Sequence, residues 1–386
     1  MITAKEHFES RYPGLKPLHM KSHGRLEILG NHTDHNHGLC LVAGASMGIE
    51  AYFAATDDGK IEIASSGYPV YGFSLDDLSI HEEEKGKSVA LTRGVCFKMK
   101  ELGYKIGGFR ATLESDIFPG AGVSSSACYE SLIVGILAAL YNDGHVSPLD
   151  MAKIGQFAER DYFGKPCGLL DQVGTSFGGI DFLDFRSVED PVVLPMKFPF
   201  DLQIVLVNSG GSHAKLTPLY AQIPTDMFHI AKKYFGKEYL REVDPNDFLT
   251  HDWSKEDPED ARAIKRADHF FEENARVLKA KKAIQQKDLS LFLEAVRESG
   301  ESSTKKLKNT MPPNRYPGSP QEAIDRARPL LKGGVARIMG GGFAGSIICF
   351  LPKKEGPAFI KKMASFYGEK NVVPVSIVDG GPALVD

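Results

Sequence analysis

Cysteine is scarce in this sequence and badly placed for cross-linking. The five thiols, Cys40, Cys96, Cys128, Cys167 and Cys349, are scattered, odd in number and contain no C-x-x-C pair. That fits neither a disulfide framework nor a zinc site, so the thiols are expected to be reduced and mostly buried. No apolar run approaches the ~18 residues that span a bilayer. The N-terminus, MITAKEHFESRYPG, mixes charges of both signs and has no apolar stretch leading to small residues, so it does not read as a signal peptide. Nor is there an excess of positive charge: 46 Lys and Arg against 50 Asp and Glu give a net charge of −4, which leaves nothing to neutralise a phosphate backbone. Repeats and low-complexity linkers are missing too. The expectation is a cytoplasmic protein, a monomer or weak oligomer, whose partners are small molecules and neither nucleic acid nor membrane.

With 386 residues, 42% hydrophobic and 25% charged, the chain has ordinary globular composition and enough length for two packed domains with a cleft between them. The first third reads as strands and turns. Ile49–Ala54 and Ile61–Ser65 flank Asp57-Asp58-Gly59, a pattern that predicts a β-hairpin. The apolar run from Ser131 to Leu140 is too long for a typical strand and suits a buried helix. Ser147-Pro148-Leu149-Asp150 is a helix start, with Ser as cap, Pro in the first turn and an acid at the positive end. That helix is expected to reach about Tyr162. A strand is expected at 202–207, and the domain boundary near residue 195 divides the chain into 1–195 and 196–386. Ile264, Ala267, Phe271, Ala275 and Leu278 are spaced as one face of a helix over 263–279, and a second helix is expected from Leu289. Further strands are expected within MGGGFAGSIICFLP and over 372–378.

Three segments carry chemistry. In PGAGVSSSA (Pro119–Ala127), small residues let backbone N–H groups approach an anion, and the helix that follows offers its positive end to phosphates. Ser124, Ser125 and Ser126 add hydroxyl donors and a candidate magnesium ligand. The alternative is a glycine-rich turn that merely starts a helix. A Walker A loop is excluded, because Gly86-Lys87-Ser88 has His81 where that motif needs its first glycine. The second segment, GRLEILGNHTDHNHG (Gly24–Gly38), packs Arg25, Asn31, His32, Asp34, His35, Asn36 and His37 between glycines, which suits a sugar whose every hydroxyl needs a partner. The same string, with His32, Asp34, His35 and His37, also has the residue types of a zinc or iron site, and a solvated loop is the third reading. In the third, CGLLDQ (Cys167–Gln172), Asp171 lies among apolar or small neighbours, placed to take a proton from an attacking hydroxyl or simply to cap a helix.

Together with MGGGFAG near the end, these segments resemble the signatures of the GHMP small-molecule kinases, most closely their galactokinase branch. The resemblance runs over nearly the whole chain, through GYKIGGF, LESDIFPGAGVSSSA, FAERDYFGKPCGLLDQ and FFEENARVLKA in order. It implies an α+β, two-domain architecture, with a ribosomal-S5-like N-terminal domain and a ferredoxin-like C-terminal domain. It implies a transferase of galactose metabolism that uses ATP and Mg²⁺ to phosphorylate the anomeric hydroxyl of a sugar. In its terms Asp171 is the catalytic aspartate and Arg25 its supporting arginine. The backbone of Gly120, Ala121, Gly122, Val123, Ser124, Ser125 and Ser126 wraps the ATP phosphates. Ser126 and Glu159 hold magnesium. His32, Asp34, Gly168 and Tyr220 bind the sugar, with Asn31 standing at a further sugar position.

The departures from that pattern concern the sugar. Where galactokinases usually read G-E-H-T-D-Y, this chain has Asn31 for the glutamate and His35 for the tyrosine. Glu27 replaces an asparagine, Ser22-His23 an Ala-Pro pair, Met339 a threonine and Ala344 a glycine. The arginine-rich stretch expected after Tyr220 is replaced by Ala221-Gln222-Ile223-Pro224. Galactose is the leading substrate, with N-acetylgalactosamine or arabinose as alternatives. A catalytically silent sugar and ATP sensor is a further alternative, weakened by the presence of the serine run and Asp171.

Overall fold

The computed structural model describes residues 3–211 and 216–385. Its strands are β1 (Leu18–Leu29), β2 (Leu39–Thr56), β3 (Lys60–Ser65), β4 (Tyr71–Ser74), β5 (Gly108–Ser115), β6 (Ile180–Asp184), β7 (Val192–Met196), β8 (Leu202–Asn208), β9 (Val335–Ile338), β10 (Ser346–Pro352), β11 (Val372–Val375) and β12 (Ala383–Leu384). Among the described residues they form two sheets. One runs β12-β1-β2-β5-β3-β4, with β6 pairing β2 and β7 pairing β6; the other runs β11-β8-β10-β9.

The hairpin expected around Asp57-Asp58-Gly59 is not formed. β5 inserts between β2 and β3, antiparallel to the first and parallel to the second. Alternating apolar residues mark which face of a strand is buried, not which strand lies beside it. Phe109, Ala111 and Leu113 of β5 are as buried as Phe53 of β2 and Ile61 and Ile63 of β3. The parallel pairing needs a crossover, and the Ser88–Glu101 helix lies within it.

β2 is long enough to change partner. Its first part pairs with β6 and its second with β5. Between them the C-terminal tail fills the gap, since Ser46 N–H donates to Ser376 O and Val378 N–H to Gly44 O. The tail ends as β12 on the edge of β1.

The apolar run is a helix, Ser125–Tyr141, buried all round from Ala127 to Ala138. Pro148–Phe157 is a helix capped by Ser147, which accepts from Asp150 N–H as its sequence implies. It then widens into a π turn over Ala158–Tyr162. The 263–279 helix extends to Ala261–Gln286, and its apolar face shifts along its length. Ala267, Phe270 and Phe271 pack with Ile223 and Met227 of the Thr217–Phe235 helix. Further on, Val277, Ala280 and Ile284 are buried while Leu278 is half exposed, because there the helix turns its side toward Phe292 and Leu41. That cluster joins Leu26 and Phe182 of the first sheet to Ile204, Ile348 and Phe350 of the second, so one core spans both sheets.

Candidate active site

Strand β1 carries Arg25 to the glycine and serine loop. Gly24 is required there: a Cβ would lie 2.6 Å from Val123 O, and Arg25 N–H donates to that same carbonyl at 2.9 Å. The Arg25 guanidinium then reaches two ways, from NH1 to Gly122 O and from Nε to Asp171 Oδ1 at 2.9 Å. Asp171 lies in the first turn of the Leu170–Phe177 helix. Its other oxygen accepts from Ser124 Oγ at 2.6 Å.

Burial pushes the Asp171 carboxyl up, but Arg25, the Ser124 hydroxyl and the Lys165 charge together outweigh it and hold the group below its ordinary value. Asp171 is therefore ionised at neutral pH. Its side chain is 28% exposed, so a substrate hydroxyl can reach it.

The loop itself is shaped by backbone conformations that side chains rarely adopt. Gly120 and Gly122 have φ of +81° and +76°, and Ser124 has φ of +59°. Ser124 precedes the Ser125–Tyr141 helix without capping it, because its hydroxyl goes to Asp171. The N–H groups of that first turn thus remain available to an anion, with the helix dipole behind them. The second sheet braces the loop from outside: Ser346 Oγ donates to Gly120 O at 2.7 Å and Asn208 Nδ2 to Pro119 O at 2.9 Å.

Ser126 and Glu159 meet as well. Ser126 Oγ donates to Glu159 Oε1 at 2.7 Å. The π turn presents Glu159, and such turns often re-aim functional side chains. A hydroxyl and a carboxylate oxygen side by side at a phosphate-loop mouth fit Mg²⁺, a hard cation that takes its other ligands from water and phosphates.

Three further residues at this point escaped the sequence reading. Lys165 Nζ donates to Glu159 Oε1 at 2.6 Å. Gln172 Nε2 bridges Glu159 Oε2 at 2.7 Å and Glu130 Oε2 at 3.1 Å. Burial, and then the Glu159 charge, push the Glu130 carboxyl well up. Glu130 lies four residues beyond Ser126, on the same face of one helix, and that spacing was the available signal. Lys165 carried none.

The sugar-loop residues are only partly brought together. Asp34 packs against Gly168 so closely that a Cβ there would lie 2.1 Å from Asp34 Oδ2, and His35 Nε2 stands 3.8 Å from Asp34 Oδ1. His32 is buried and donates from Nε2 to Gly341 O at 2.9 Å. Burial pushes its pKa down to about 4, so it is neutral. Tyr220 lies on the glycine-rich loop, its hydroxyl donating to Gly342 O at 2.6 Å. Ser212 and His213 of the NSGGSH stretch lie outside the described residues.

One expectation needs correction, and one of the alternatives for the histidine string drops out. Asn31 does not offer its side chain to a sugar: it is fully buried and all its hydrogen-bonding positions are taken within the protein. The metal reading of the histidine string also fails on geometry. His32 turns to Gly341, His37 stacks on Tyr239 at 3.9 Å, and no group of three His, Cys, Asp or Glu is disposed to hold a metal among the described residues. No described helix is long and apolar enough to cross a membrane.

Known proteins resemble the chain in sequence and in fold. Residues 90–179 match the GHMP kinases N terminal domain, and residues 6–55 the galactokinase galactose-binding signature. The chain is 32% identical to the galactokinase of Actinobacillus pleuropneumoniae serotype 3 (strain JL03), over 86% of this chain and 84% of that one. It is 30% identical to the galactokinase of Actinobacillus succinogenes (strain ATCC 55618 / DSM 22257 / CCUG 43843 / 130Z), over 95% and 94%. Among solved structures, Lactococcus lactis galactokinase complexed with galactose superposes with a TM-score of 0.84 at 25% identity, over 98% of each chain. The Methanococcus jannaschii mevalonate kinase shares the fold, with a TM-score of 0.67 at 14% identity, over 95% of this chain and all of that one.

Proposed function

The chain belongs to the galactokinases of the GHMP kinase family, and from that premise we propose that it transfers the γ-phosphoryl group of ATP to the C1 hydroxyl of galactose, giving galactose 1-phosphate and ADP. The observation that carries the proposal is the Arg25–Asp171–Ser124 arrangement beside the glycine and serine loop.

Phosphoryl transfer depends chiefly on positioning and on neutralising charge. Asp171, held ionised, accepts a hydrogen bond from the C1 hydroxyl, aims its oxygen at phosphorus and takes its proton as the new P–O bond forms. Arg25 keeps Asp171 in place and offsets negative charge that develops at the sugar oxygen. The N–H groups from Gly120 to Ser126 cradle the phosphates. Ser126 and Glu159 would hold Mg²⁺, which supplies charge neutralisation on the nucleotide when bound. His32, Asp34, Gly168 and Tyr220 form the sugar side. All of these groups but Tyr220 lie in residues 1–195; Tyr220 lies with the MGGGFAG loop in residues 196–386, on the side that closes over them.

The test is ADP release in the presence of ATP and Mg²⁺ against a panel of free sugars: galactose, N-acetylgalactosamine, arabinose and glucose. Turnover highest with galactose supports the proposal. Turnover only with another sugar refutes the substrate, and binding of ATP and galactose without turnover refutes the catalytic reading.

A further inference from the structure

Phosphoryl transfer spreads negative charge over the oxygens of the moving group, and a cation held against them lowers the barrier. Arg25 is committed elsewhere. Its side chain is only 7% exposed, and its donors go to Asp171 Oδ1 and Gly122 O. Lys165, the second cation at the mouth of the phosphate loop, has no task in the mechanism so far.

Lys165 is pinned to Glu159 at both of its ends. After the π turn the chain reverses through Gly164, whose φ is +83°, and Lys165 N–H donates back to Glu159 O at 3.0 Å. The ammonium then donates to Glu159 Oε1 at 2.6 Å, the oxygen that also accepts from Ser126 Oγ at 2.7 Å. Nζ is therefore no further from Ser126 Oγ than those two bonds laid end to end, which sets it beside the last residue of the phosphate loop. Its charge is also felt at Asp171, where it joins Arg25 and the Ser124 hydroxyl in opposing burial.

Pairing with a buried carboxylate is reason enough for a lysine, but two features go beyond it. Glu159 is 0% exposed and the Lys165 side chain 53%, so the pair presents its cation, and not its anion, to solvent. One of the three ammonium hydrogens goes to Glu159, and no other hydrogen bond from Nζ forms among the described residues. A flexible point charge with donors to spare suits phosphate oxygens. Because the same charge reaches Asp171, which aims the sugar oxygen at phosphorus, the phosphate it meets is the terminal one.

We propose that Lys165 is a catalytic residue that binds the terminal phosphate of the nucleotide, its ammonium bridging Glu159 to the phosphoryl group in transit and offsetting the charge that gathers there. The inference rests on the kinase proposal for its chemistry, but its binding test needs no turnover.

That test compares ADP with the non-hydrolysable β,γ-imido analogue of ATP by calorimetry at saturating Mg²⁺. Lys165→Met is expected to bind the analogue about 10–100-fold more weakly, with its affinity for ADP changed by less than about threefold. Lys165→Arg restores the charge and should recover most of that loss. Lys165→Gln, uncharged but still able to donate to Glu159, carries the same prediction as Lys165→Met and replaces it if the methionine variant does not fold. In turnover with galactose, kcat of Lys165→Met should fall at least about tenfold with KM for galactose little changed. Equal losses for ADP and the analogue, or no loss for either, overturn the proposal and leave Lys165 as the counter-ion of Glu159. A wild type that binds both nucleotides without turnover refutes the kinase proposal alone, and the split between analogue and ADP still decides on Lys165.

Discussion

Replacing Arg25 by methionine should move the acid limb of the pH–rate profile as well as lower the rate. Asp171 is held down by opposing influences: burial raises its pKa, and Arg25 is the largest of those that lower it, ahead of the Ser124 hydrogen bond and the Lys165 charge. An opposite charge this close lowers a carboxyl pKa by about 1–3 units. Without it, burial is opposed only by the Ser124 hydrogen bond and the Lys165 charge, and the folded pKa rises. The ionised form is the active one, so activity is lost as pH falls through the folded pKa. In the wild type that loss lies below the ordinary carboxylate range; in Arg25→Met it should move up by about 1–3 units. The rate at the plateau should also drop by about 10²–10³, the usual effect of removing one preorganised donor. Stability follows the same sign. The depressed pKa of Asp171 contributes stability above the ordinary carboxylate pKa, and that contribution disappears as pH falls through the folded value. The assay is kcat/KM for ATP and sugar from pH 4 to pH 9. A uniformly slower variant with an unshifted acid limb would refute the reasoning, because ionisation of Asp171 would then not control the reaction.

Two other substitutions test different parts of the account. Gly168→Ala puts a Cβ 2.1 Å from Asp34 Oδ2; with Asp34 on the proposed sugar side, KM for the sugar should rise by at least about tenfold while KM for ATP changes little, and an unchanged sugar KM would take Asp34 out of the sugar site. Asp181 is buried with neither oxygen hydrogen-bonded, and burial pushes its pKa up to about 7. A raised acid pKa destabilises the fold increasingly as pH rises from the ordinary carboxylate value to 7, and fully above it. Asp181→Asn should therefore stabilise by up to about 4 kcal/mol at pH 8, less whatever the buried amide costs, with the gain fading toward pH 4. Chemical denaturation at the two pH values checks this, and a pH-independent difference contradicts it.

Local signals carried well from sequence to structure where one element decides the outcome. The Ser147 cap and the buried run around Ser131–Leu140 lie where the chain pattern implied, whereas the Arg25, Asp171 and Ser126, Glu159 pairings, between distant segments, came only from the family resemblance. What failed depended on non-local neighbours. The 57–59 turn looked like a hairpin because nothing in either strand announces that β5 will come between them. Asn31 looked like a sugar ligand because it sits in a polar, glycine-bounded string, whereas its partners Asn309, Ser303 and Gly340 come from the far end of the chain. Lys165 and Gln172 were invisible for the same reason: a loop lysine and an amide acquire meaning only when Glu159 is set beside them.

Phosphorylation of the anomeric oxygen, with Asp171 as the group that aims it, leaves its record in the product. The most direct measurement is ³¹P and ¹H NMR of the product formed from galactose, ATP and Mg²⁺ by the wild-type protein and by Asp171→Asn. The wild-type product should give a phosphorus signal coupled to the anomeric proton, formed about 10²–10⁴ times more slowly by the variant, whose amide cannot take the proton. Phosphate on any other carbon, or undiminished product from Asp171→Asn, would contradict it.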